Sequence, residues 1–288
     1  MGALRHMLLV LSLTLPALIQ AKDSAAAACS KPDIERAAQQ VQEARRAMRA
    51  LPTANDLSTD VPPEAQRAIA AMKTRLGALA DAYMGCAGAA ADPQRLQGEL
   101  IDLARGTDPD TTDENRYGGR IDFSVRLNVG PQRLLSIVAE FSIQCGSDAV
   151  LLVFAPESEG WREALRWHSK DYPTVAGAFW SFDYAISPPD PTGAWFVVAK
   201  NLAPWCTSTW SSIRYSVLRP RPAGTEPAEL FRASDSIWWG GDDLGTLSVT
   251  ADGFTLRYHG ESKVLGGDPR QYTRRFRVSG DLVRQLGQ

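Results

Sequence analysis

The residues best equipped for chemistry lie in one short string, Trp238-Trp239-Gly240-Gly241-Asp242-Asp243-Leu244-Gly245. Paired carboxylates among glycines could hold a cation or sugar hydroxyls, or serve a glycosidase. Glycoside hydrolysis needs two carboxyls about 5–9 Å apart across a cleft. Adjacent residues on a strand point to opposite faces, so Asp242 and Asp243 fit a tight acidic turn better than a catalytic pair. An indole face stacks on the C–H face of a sugar ring, and its N–H reaches a hydroxyl. The same rings also fill β cores, and all eight tryptophans fall between Trp161 and Trp239. Core packing is therefore expected for most of them. Adjacent Trp238 and Trp239 cannot both point inward on one strand, so one is expected at a groove or surface.

A second set pairs histidine with arginine. His259 shares a strand face with Thr255 and Arg257, and Arg275 and Arg277 are expected on the neighbouring strand. His168 shares one with Arg162 and Arg166. Such faces bind carboxylate or phosphate through bidentate guanidinium pairing. Nucleophilic catalysis would need a serine and an orienting carboxylate beside a histidine. No G-x-S-x-G elbow is present. The candidate ligand surface is thus Trp238, Trp239, Asp242, Asp243, Arg257 and His259.

Other motifs fall away on spacing. Asp108, Asp110 and Asp113 resemble part of a calcium loop, but Asp113 and Gly119 occupy the places of the required turn glycine and closing glutamate. The cysteines form no C-x-x-C pair, so neither a metal nor a cofactor is expected. Lysine and arginine number 31 against 33 aspartate and glutamate. That near-balance argues against a nucleic-acid partner.

The first residues set the compartment. Arg5 and His6 precede an apolar run from Met7 to Ile19, and Ile19-Gln20-Ala21 offers a small-residue cleavage site. The run is short of the about 20 residues a membrane span needs. Residues 1–21 therefore read as a signal peptide, and the mature chain is expected in the periplasm or outside the cell. No transmembrane segment is expected. Lipidation at Cys29 is disfavoured because charged Lys22 and Asp23 separate it from the apolar run. In an oxidising compartment Cys29, Cys86, Cys145 and Cys206 read as two disulfides.

Helical periodicity chooses the pairing. Ile34, Ala37, Val41, Ala44, Met48 and Leu51 mark an amphipathic helix over about 33–51. Pro62-Pro63 opens a second, with Ala65, Ile69, Met72, Leu76, Leu79 and Tyr83 on one stripe and Cys86 one step beyond. At about 1.5 Å per residue the two arms run about 33 and 35 Å. Folded back on each other, they bring Cys29 to Cys86, which leaves Cys145 for Cys206. A third helix is expected over 94–105.

From Gly118 the period becomes two. Ile121, Phe123, Val125 and Leu127 alternate with polar residues, as do Leu135, Ile137, Ala139, Phe141 and Ile143. Further strands are expected at 150–154, 180–186, 195–199, 210–218, 247–250, 254–258 and 272–278, with Asp252-Gly253 as a hairpin turn. The expected fold is α+β: a disulfide-closed helical hairpin region (22–106), an acidic linker (107–117), and an antiparallel β-sandwich or barrel-like domain (118–288). Proline-rich 219–227 offers a sub-boundary. The expected function is an exported, non-enzymatic binding or envelope-structural protein whose partner is a glycan or an envelope protein. A secreted hydrolase of polysaccharide or peptide is the alternative, and a secreted protein inhibitor a third.

Overall fold

A computed structural model describes residues 30–52, 59–88, 90–110, 116–128, 130–158, 160–204, 211–222, 224–237, 245–260 and 270–287. Three helices come first: α1 (Lys31–Arg49), α2 (Pro63–Met84) and α3 (Pro93–Arg105). Each carries proline in its first turn, where a missing N–H costs nothing. Asp92 caps α3 by accepting the Gln94 N–H at 3.1 Å. No helix among the described residues is long and apolar enough to cross a membrane.

Among the described residues twelve strands follow, in two antiparallel sheets. The first is a meander of β1 (Ile121–Asn128), β2 (Leu134–Ile143), β3 (Gly146–Pro156) and β4 (Trp161–His168). The second begins with β5 (Ser181–Ile186), β6 (Val197–Leu202), β7 (Ser211–Arg219) and β8 (Ala228–Ile237). It ends with β9 (Thr246–Thr250), β10 (Gly253–Gly260), β11 (Arg270–Ser279) and β12 (Leu282–Gln285). A single pairing, Gly260 with Ile237, joins these two halves. The fold is α+β, as the switch of period implies.

Side-chain alternation stacks these elements in layers. The helices bury Val41, Met48, Met72, Leu76 and Leu100 against Phe123, Ile137, Phe141, Leu152 and Phe154 of the first sheet. The opposite face of that sheet packs Val138, Leu151 and Val153 on Tyr184, Val197, Ala199 and Leu218. The far side of β6 and β7 then packs Val198, Ile213, Tyr215 and Val217 on Phe254, Leu256, Tyr258, Phe276 and Val278 of β10 and β11. Central strands covered on both faces explain the unbroken apolar run in β3.

Several expectations need correction. Strands β8 and β12 escape the period-two reading. In β8 a register shift between Val217 and Leu218 of its partner breaks the alternation, and all its side chains but Ile237 are half-buried or exposed. Strands β7 and β8 pair along the segment that 219–227 connects. The turn from β9 to β10 uses Ala251 and Asp252, since Gly253 already pairs with Thr250 in the ladder. Glycine is needed there for closeness: an added Cβ would sit 2.3 Å from the Phe276 carbonyl oxygen. Cys86 lies just past α2 and Cys145 is buried in the β2–β3 turn, and the two are not joined to each other. Cys29 and Cys206 lie outside the described residues, so neither expected bridge is described.

Candidate functional site

Among the buried charged side chains, Arg45 and Lys73 hold elements together. Arg45 of α1 occupies a core position, and each of its three nitrogens donates a hydrogen bond. Its Nε donates to the Gly118 carbonyl at 2.9 Å, Nη1 to Asp108 O at 2.8 Å, and Nη2 to Asp110 Oδ1 at 2.7 Å and Gly119 O at 3.0 Å. The first acidic residues after α3 are thus moored to the helix layer. Lys73 of α2 donates to the Ser169 carbonyl at 2.9 Å and lies 3.6 Å from Asp148. Asp148 in turn accepts from the Ser169 hydroxyl at 2.8 Å and the Tyr172 hydroxyl at 3.0 Å. Burial pushes the Asp148 carboxyl up, against the pull of Lys73, and raises the Tyr172 phenol as well. A serine 3.2 Å from a lysine has the composition of a nucleophile–base pair. Here Ser169 donates to a carboxylate, and both side chains are sealed in the interior. The cluster is a polar rivet between α2 and the first sheet.

The His168 face is likewise spoken for. Arg162 pairs with Glu157 at 2.6 Å, and Arg166 pairs with Glu163 at 2.6 Å and with Asp81 of α2. Arg166 crosses α2 at Gly77, where an added Cβ would sit 2.7 Å from its guanidinium. Burial, helped by the neighbouring Glu163 charge, pushes Asp81 up to about 7 despite Arg166.

The outer face of the last sheet differs. Strand register places Thr255 level with Ser248 and Arg275, Arg257 with Thr246 and Thr273, and Gly253 with Thr250 and Arg277. Arg284 lies opposite Arg277. His259 is level with Gln271. The core takes the alternate residues Phe254, Leu256, Tyr258, Phe276 and Val278, so Arg257, Arg275, Arg277 and Arg284 all face outward and are exposed. None of the four pairs with a carboxylate among the described residues. The inward-turned Arg274 shows the contrast: it donates to Asp235 at 3.0 Å and to the Tyr258 hydroxyl at 3.2 Å. Its partners Tyr258 and Asp235 lie beneath the exposed layer.

Between the outward residues lies a shallow depression of about 420 Å³, lined by Ser248, Thr250, Thr255, Arg275, Arg277 and Leu286 among others. Asp252 stands at the rim, its carboxylate taking the Thr250 hydroxyl at 3.0 Å. The hydroxyls and the two guanidinium groups, against the single carboxylate of Asp252 that also lines the depression, suit an oxyanion. Like charges directly opposite on neighbouring strands, as at Arg277 and Arg284, cost folding stability.

Of the sequence-derived site residues, Arg257 and His259 are brought together on this face with Arg275 and Arg277. Trp238, Trp239, Asp242 and Asp243 lie outside the described residues. The chain on either side of them flanks one end of β10: Ile237 pairs with Gly260, and Gly245 abuts the Arg257 carbonyl. The described tryptophans are packing residues. Trp161 is buried and its Nε1 donates to Gly88 O at 3.2 Å, Trp167 stacks on Phe179 and Phe182, and Trp180 and Trp195 pack on core clusters. Sequence reasoning missed Arg284, although Ser279-Gly280-Asp281-Leu282 carries the signal: a glycine–aspartate turn, with Gly280 at φ 54°, followed by alternating residues. No family model matches the chain, and neither does any curated protein or solved structure.

Proposed function

We propose that the protein is an exported, non-enzymatic binding protein that holds phosphate- or carboxylate-bearing partners of the cell envelope on the outer face of β9–β12. One observation carries this reading: four exposed arginines share one sheet face with no carboxylate partner among the described residues, at a cost to folding. Arg162, Arg166, Arg219 and Arg274, by contrast, each pair with a carboxylate. Functional faces keep such costly residues because the ligand, absent during folding, supplies the opposite charge. Export is part of the proposal. It rests on the basic, apolar and small-residue order of residues 1–21 and includes the bridge Cys29–Cys86.

The test is retention on immobilised inorganic polyphosphate across a salt series. Wild type should bind, with affinity falling linearly in log–log salt dependence as in any guanidinium–phosphate contact. The variant with Arg257, Arg275, Arg277 and Arg284 all changed to Gln should lose at least about ten-fold in affinity. Equal retention of that variant and wild type would refute the assignment of this face.

A further inference from the structure

The arginine face has a second property, which an anion site alone does not require. The exposed large hydrophobic residues among those described are Leu282 and Leu286, at 60 % and 46 % exposure. Both belong to the last strand and its extension. Leu282 is level with Ser279, Arg284 with Arg277, and the Leu286 N–H donates to the Arg275 carbonyl, so Leu282, Arg284 and Leu286 point the same way as the arginines. Two apolar side chains therefore stand at the margin of a basic, nearly flat surface. Phe254 and Phe276, which border the depression, are buried, so the surface presents no exposed ring on which a sugar would stack. Exposed leucines beside arginines suit a bilayer interface: cations meet lipid phosphates while apolar side chains enter the boundary between headgroups and acyl chains.

We propose that β9–β12 dock flat on an anionic lipid bilayer, with Leu282 and Leu286 entering the interface. This rests on the anion-binding reading of the same face and names its partner. Arg257, Arg275, Arg277 and Arg284 pair with lipid phosphates across the sheet. The depression between Thr250, Thr255, Arg275 and Arg277 accepts one headgroup phosphate, with Ser248 and Thr255 as hydroxyl donors. Because β12 is the margin of the sheet, its leucines reach the membrane plane without any rearrangement of the core.

The experiment is co-sedimentation of the purified protein with vesicles of phosphatidylcholine alone and of phosphatidylcholine containing phosphatidylglycerol. Retention on immobilised polyphosphate runs in parallel, and thermal unfolding checks each variant. Wild type should sediment with phosphatidylglycerol vesicles and not with phosphatidylcholine. Leu282→Ser with Leu286→Ser should lower vesicle affinity about ten-fold or more and leave polyphosphate retention unchanged. The four-arginine variant should lose both. Polyphosphate retention without vesicle binding would overturn the lipid proposal and leave the anion-binding reading intact. Vesicle binding that ignores phosphatidylglycerol, or that survives the leucine changes, would also overturn it. Binding to neither probe would overturn both readings.

Discussion

Replacing Asp81 by Asn tests how α2 is joined to β4. The carboxylate stands beside Arg166 and Glu163, its side chain is 38 % exposed, and its Oδ1 has no hydrogen-bond partner. Burial and the Glu163 charge raise its pKa from 3.8 to about 7, against the pull of Arg166. The folded state thus holds the proton more tightly than the unfolded chain. That contribution to stability is fully present below 3.8, declines as pH rises, and is gone above about 7. A shift of about 3 units corresponds to ~4 kcal/mol at about 1.36 kcal/mol per unit. Water reaches more than a third of the side chain, so screening reduces this to roughly 1–2 kcal/mol. Asn keeps the shape and cannot titrate. Urea unfolding, followed by tryptophan fluorescence between about pH 4 and pH 7.5, should show the stability of Asp81→Asn relative to wild type rising by that amount. A flat difference would mean that Asp81 does not titrate in this window. A falling one would mean that Arg166 outweighs burial and holds the carboxylate ionised.

Other expectations follow from the buried charges and the arginine face. Arg45→Met should cost about 3 kcal/mol or more and expose 107–119 to limited proteolysis, because the carbonyls of Asp108, Gly118 and Gly119 lose their donor; an unchanged denaturation midpoint would contradict this. Lys73→Met should cost about 3–5 kcal/mol by stranding the buried Asp148, and adding Asp148→Asn should recover part of the loss. Strictly additive effects in that cycle would show that the two do not interact. Arg277→Gln should leave stability equal or raised by up to about 0.5 kcal/mol, since it relieves the repulsion with Arg284, while weakening polyphosphate retention. A drop in melting temperature would show that Arg277 serves the fold.

Local periodicity makes much of this protein legible in its sequence alone. The stripes through Val41 and Met48, and through Ile69, Met72 and Leu76, identify α1 and α2, because a helix buries every third or fourth residue. Alternation in Thr255-Leu256-Arg257-Tyr258-His259 and in Tyr272 to Val278 places Arg257, His259, Arg275 and Arg277 on one side of adjacent strands. Buried Lys73 and Arg45 read as ordinary polar positions, since only the packing of α1 and α2 on distant residues such as Asp148 and Gly118 draws them inward. Arg166 likewise reads as available beside His168, and only the packing of α2 brings Asp81 across to it. Strand β8 escapes a periodic reading because its side chains are half-exposed and its register slips, and β12 because four residues are too few to show a period. Which arginines find a carboxylate, and which exposed leucines share their face, depends on pairing between residues far apart in the chain. A period of two or three to four fixes only the direction of each side chain from its own element; the neighbour it meets there is settled by how the layers stack.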